Sequence, residues 1–126
     1  MIRKNLYSIL VALIIMYLSM ASSHTFDRVP TFNIPHFDKI VHFGMYFSLM
    51  LVILIENRNT LKNFRQILLI GLASLSYGII IEIMQSTLTV TRTGDFFDAL
   101  ADLTGISAAI LIWFLVMRYK KQAFRY

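Results

Sequence analysis

The sequence predicts an all-α fold, an integral membrane four-helix bundle with both termini cytoplasmic and a single domain over residues 1–126. Three observations predict it. The chain is 57% hydrophobic and only 15% charged, against about 25% charged in an ordinary soluble domain. Its apolar residues gather in four runs separated by short polar segments. Its Lys and Arg residues crowd into alternate segments between those runs, which is a pattern of membrane topology.

The spans are expected at about residues 5–23, 37–55, 66–86 and 98–117. The first run is uncharged from Asn5 to Ser23, close to the about 20 residues that cross about 30 Å of hydrocarbon. It also fits a cleaved signal peptide, with a basic start, an apolar core and Ser19-Met20-Ala21 as a small-residue site. Its long core favours a retained span, as does the odd number of spans that cleavage would leave. The cores of the other three runs are Ile40–Ile55, Gln66–Ile81 and Leu103–Met117. Each reaches full length only by taking in a polar end: HFDKIVH, EIMQ and DALAD respectively. Short re-entrant helices are the competing reading of these three.

Charge placement sets the expected orientation. Arg3 and Lys4, then Arg58, Lys62 and Arg65, then Arg118, Lys120, Lys121 and Arg125 fall on one side; Arg28, Lys39 and Arg92 fall on the other. The positive-inside rule makes the first side cytoplasmic, so loops 22–37 and 86–97 face outward. The net charge of +5 therefore belongs to topology, and no nucleic-acid partner is expected. The absence of Cys excludes a disulfide framework and a thiolate metal site.

The polar ends of the last three spans carry the candidate chemistry. Counted from the charged residues at the opposite edge, His42, Glu82 and Asp102 lie roughly 21 to 25 Å up their helices at about 1.5 Å per residue. Asp38 and Asp98 come out slightly higher. All five fall at one depth on one side, where chance intrusions would scatter. Asp38, His42 and Tyr46 share a face at i, i+4 and i+8, as do Glu82 and Gln85 at i and i+3. Asp95, Asp98, Asp102 and Gly105 follow the same steps. Gly71, Ala73, Ser74, Ser76 and Gly78 suit close approach of helices to the third span.

Plainer readings stand beside these. Asp38 and Asp98 fit N-caps of the second and fourth spans, and Lys39 fits a side chain snorkelling to headgroups. Phe43, Tyr46, Phe96 and Phe97 fit interface aromatics. Glu82 is harder to dismiss, because a carboxylate inside a span costs about 2.5–3.5 kcal/mol. Arg92 is its natural ion-pair partner.

These residues together resemble the VanZ-like membrane family. DKIVHFGMYFSL is similar to its DKxxHxxxY entry motif, and GIIIEIMQSTLTVTRTGDFFDALADLTG to its ExxQ, Arg, DxxxNxxG order. The matching positions are Asp38, Lys39, His42, Tyr46, Glu82, Gln85, Arg92, Asp98 and Gly105, within residues 36–115. Asp102 stands where the family pattern usually has Asn. The resemblance implies a small helical protein of the bacterial cytoplasmic membrane, multi-pass, in a family named for a link to teicoplanin resistance.

Three functions remain open from the sequence. The first is a non-catalytic envelope protein binding a lipid, a lipid-linked precursor or a glycopeptide at an outer-leaflet polar pocket, with Arg92 and Lys39 holding an anionic group. The second is an intramembrane enzyme acting on an envelope lipid, with His42 and Asp38 as acid/base. No cofactor is evident, but Glu82, Asp98, Asp102 and His42 could hold a divalent cation. The third is a small transporter, disfavoured because its carboxylate should be reachable from both sides.

Overall fold

In the computed structural model, residues 5–25, 36–88 and 95–123 are described. They form four α-helices: α1 (Leu6–Thr25), α2 (Phe37–Glu56), α3 (Phe64–Leu88) and α4 (Phe96–Ala123). Among the described residues there is no strand. The helices α2, α3 and α4 are long and apolar enough to cross a membrane, while the apolar stretch of α1, Leu6–Met20, is shorter.

The surface shows which solvent the fold is built for. Leu13, Leu69, Leu72, Ile80, Ile83, Leu111 and Leu115 are all more than half exposed. A water-soluble monomer rarely presents so continuous an apolar surface. The same residues facing acyl chains carry no such cost, and each helix satisfies its own backbone.

Local sequence explains where the helices begin and end. Gln66 Oε1 accepts the backbone N–H groups of Lys62 (2.9 Å) and Asn63 (3.3 Å), so α3 starts before the apolar run does. The α4 helix starts behind Asp95, whose Oδ1 accepts the Phe97 N–H at 2.9 Å. Asp95, not Asp98, is thus the N-cap; Asp98 lies in the first turn. Asp38 likewise sits in the first turn of α2, behind His36 in a left-handed conformation (φ 66°). Helix α4 outruns its expected end because Lys120 and Lys121 continue it, and cations suit a helix C-terminus.

Helix α2 is central, with its closest partner α4 and further packing on α1 and α3. Gly105 is why α2 and α4 can be so close. A Cβ there would collide with the Phe43 carbonyl oxygen and stand 3.0 Å from the Phe47 nitrogen. The core is Ile15, Tyr46, Leu49, Met50, Leu54, Ile67, Ile81, Ile106 and Ala109. Helix α1 is tied on by polar bonds as well. Glu56, at the end of α2, accepts the N–H groups of Tyr7 (2.9 Å) and Ser8 (2.8 Å) and the Ser8 hydroxyl. Those N–H groups have no partner within their own helix. Tyr77 donates to the Ala12 carbonyl at 2.6 Å.

The up-and-down path puts polar groups of opposite sign at opposite ends. The ends of α2 and α4 and the start of α3 carry Arg58, Lys62, Arg65, Arg118, Lys120 and Lys121. The start of α2, the end of α3 and the start of α4 carry the acidic cluster.

Candidate functional site

Alternating charges run inward from the acidic end. Lys39, in the first turn of α2, extends its ammonium to Asp95 Oδ2 (2.8 Å), Asp38 Oδ2 (3.2 Å) and Asp98 Oδ1 (3.3 Å). It is the centre of a carboxylate trio, and does not snorkel to the headgroups. Its charge and the Phe97 N–H hold the Asp95 carboxyl below the usual carboxylate range. The second oxygen of Asp98 lies 4.0 Å from His42 Nε2. The other ring nitrogen, Nδ1, lies 3.1 Å from Asp102 Oδ1. Side-chain exposure falls from 44% at Asp38 and 23% at Lys39 to 10%, 6% and 3% at Asp98, His42 and Asp102. Water therefore reaches the outer groups and not the inner pair.

Helix geometry sets this order. Lys39 and His42 are one turn apart on α2, as Asp98 and Asp102 are on α4. The close contact at Gly105 brings the two turns together. Gly78 on α3 leaves room for the innermost members: a Cβ there would lie 2.6 Å from Asp102 Oδ2 and 3.0 Å from the Tyr46 hydroxyl. Tyr46 is buried, not an interface aromatic, and its hydroxyl has no hydrogen-bond partner among the described residues. Phe43, Phe96 and Phe97 are exposed, as expected of interface aromatics.

Glu82 enters from α3, where its Oε1 accepts the Asp95 N–H at 2.8 Å. Arg92 lies outside the described residues. Gln85 is buried and donates to the Ser19 carbonyl of α1 at 2.7 Å, so it also joins helices. Asp95 was legible only as one step of an acidic stripe. Its double role, as helix cap and as a partner of Lys39, could have been suspected from a Gly-Asp pair directly before an aromatic helix start.

Among the described residues, two sets of donor atoms are grouped closely enough to hold a cation: His42, Glu82 and Asp98, and Asp38, Asp95 and Asp98. The second set already surrounds the Lys39 ammonium. The first has the composition of a divalent-ion site, with one imidazole and two carboxylates. Asp102 on Nδ1 orients the ring as a ligand's outer partner does.

A cleft of about 240 Å³ opens beside this cluster, between α3 and α4. Glu82 and Asp95 stand at its polar part, and Ile79, Ile83 and Phe96 form its apolar wall.

A model of the VanZ/LLP1 family matches residues 4–117 of the chain. Neither a curated protein nor a solved structure matches it.

Proposed function

The chain belongs to the VanZ/LLP1 family, and on that premise we propose that it is a non-catalytic envelope protein of the bacterial cytoplasmic membrane that binds the polar head of an envelope amphiphile. The amphiphile is a lipid, a lipid-linked precursor or a lipophilic glycopeptide, held at the outer leaflet with both termini cytoplasmic. A role in teicoplanin resistance belongs to the same proposal.

The observation that carries this reading is the cleft between α3 and α4. It offers carboxylates at one part and an apolar wall at the other, which is what a headgroup and its chain require. Its charge argues for a cationic headgroup. Among the described residues, Asp38, Glu82, Asp95, Asp98 and Asp102 face the Lys39 ammonium and the imidazoles of His42 and His36, and Lys39 is engaged by three of them. Lys39 is therefore poorly placed to grip a phosphate, and an amine is the better complement.

The test is native mass spectrometry of the purified chain with phosphatidylethanolamine and its N-acetylated counterpart. The free amine lipid should be retained and the acetylated one released. Glu82→Gln with Asp95→Asn should erase the difference. Equal retention of both lipids by the unaltered chain would sink the reading. In cells, the teicoplanin susceptibility of a host expressing the chain, with and without Glu82→Gln, tests the resistance role.

A second reading is favoured by one contact. The His42–Asp102 pair has the form of an oriented acid/base, and with a divalent cation on His42, Glu82 and Asp98 it would serve an intramembrane lipid-modifying enzyme. Stoichiometric Mn²⁺ binding seen by electron paramagnetic resonance, lost in His42→Ala, would favour this alternative.

A further inference from the structure

At the end opposite the acidic cluster, the structure holds a second cleft of quite different chemistry. It measures about 520 Å³ and lies between the α2–α3 turn, the start of α3 and the last turns of α4. Arg58, Lys62, Arg118 and Lys121 line it. Among the described residues none of these four makes an ion pair. Glu56, the acidic residue at this end, is bound to the N-terminus of α1. The remaining wall is apolar and aromatic. Phe64 and Phe114 meet across it with ring centroids 5.7 Å apart, and Trp113 and Ile67 lie beside them.

All four are exposed, so together they present a concentrated positive charge beside an apolar cleft, which favours an anion there. Four unpaired cations at the rim call for a phosphate, and the aromatic floor calls for a hydrocarbon chain. A soluble anion would leave the floor uncovered, and a zwitterionic lipid would bring its own cation to the rim. We propose that this cleft is a binding site for an anionic phospholipid, with its phosphate at Arg58, Lys62, Arg118 and Lys121 and an acyl chain against Phe64, Trp113 and Phe114. Basic clefts between membrane helices are suited to such headgroups. A neighbouring cleft of about 330 Å³ between α2 and α4 shares Arg58 and Trp113, so the tryptophan faces both. The site stands on its own residues and does not depend on the acidic pocket.

Trp113 is the chain's single tryptophan, which makes the test direct. The full chain is reconstituted in phosphatidylcholine vesicles containing the same low mole fraction of acyl-brominated phosphatidylglycerol or acyl-brominated phosphatidylcholine. The brominated anionic lipid should quench Trp113 fluorescence several-fold more than the zwitterionic one. Arg118→Gln and Arg58→Gln should each reduce that excess. Arg65→Gln, which removes one charge at the same end but outside the cleft, should retain it. Equal quenching of the unaltered chain by the two lipids overturns the site whatever the variants do. Equal loss in Arg65→Gln and Arg118→Gln overturns it as well, since diffuse surface charge would then explain the preference.

Discussion

His42 Nδ1 lies 3.1 Å from Asp102 Oδ1, joining α2 to α4 at the buried end of the polar cluster. Sixty residues separate the two in sequence, and each side chain is almost wholly enclosed. Asp102 stands where the resemblance drawn from the sequence leads one to expect Asn, so this contact is the first place to test. An amide carbonyl can accept the same hydrogen bond from the ring. Asp102→Asn should therefore keep membrane abundance and thermal stability. Asp102→Ala leaves a ring nitrogen unpaired and should cost about 1–3 kcal/mol. Thermal unfolding in detergent distinguishes them; equal losses in both variants would show that the carboxylate charge itself is required.

Glycine substitutions should rank by what a Cβ would meet. Gly105→Ala forces a methyl into the α2 backbone at Phe43, which cannot step aside as a side chain would. A loss of about 1–3 kcal/mol is expected for such overpacking. Gly78→Ala pushes on Asp102 and Tyr46 and should also destabilise. At Gly44 nothing lies within 4 Å of an added Cβ, and Ala is the better helix former by about 1 kcal/mol. Gly44→Ala should melt at or above the unaltered protein, and Gly105→Ala well below it. The reverse order would contradict the α2–α4 packing.

Glu56 should matter to a helix far from it in sequence. Glu56→Ala removes the acceptor for the N–H groups of Tyr7 and Ser8. Their amide hydrogen exchange should quicken while that of the core of α2 is unchanged. Unchanged exchange at both amides would mean that α1 holds its first turn without Glu56.

Acid should loosen the outer end of the cluster through Asp95. Its carboxyl titrates below the usual range because of the hydrogen bond from Lys39. A depressed folded value contributes stability that is fully present above the unfolded value of about 3.9. That contribution is lost as pH falls through the folded value. Asp95→Asn keeps the helix cap but not the charge. The variant should lose less stability than the unaltered chain between about pH 5 and about pH 3. Parallel pH profiles would remove Asp95 from the account.

Orientation is testable because the chain has no Cys. A single Cys replacing exposed His36, at the acidic end, should react with an impermeant thiol reagent in spheroplasts. A single Cys replacing Asn59, at the basic end, should not. The opposite pattern would reverse the expected topology and place the acidic pocket at the inner leaflet.

The sequence by itself determined the depth of the polar groups. Rise per residue is a local property of a helix, so counting from Glu56, Arg65 and Arg118 was enough to bring His42, Glu82 and Asp102 to one level. Composition likewise determined the four apolar helices, because lipid leaves the backbone few other forms. Which groups meet was decided only by the tertiary structure. Pairing across helices depends on how each helix is rotated and how near its neighbour lies, and no local pattern encodes either. Lys39 turns inward because α4 brings Asp95 and Asp98 within reach. Gln85 reaches α1, and Glu56, seen in the sequence only as an edge marker, caps that helix. Gly105 removes the side chain that would have held α2 and α4 apart, and His42 and Asp102 can meet only at that separation.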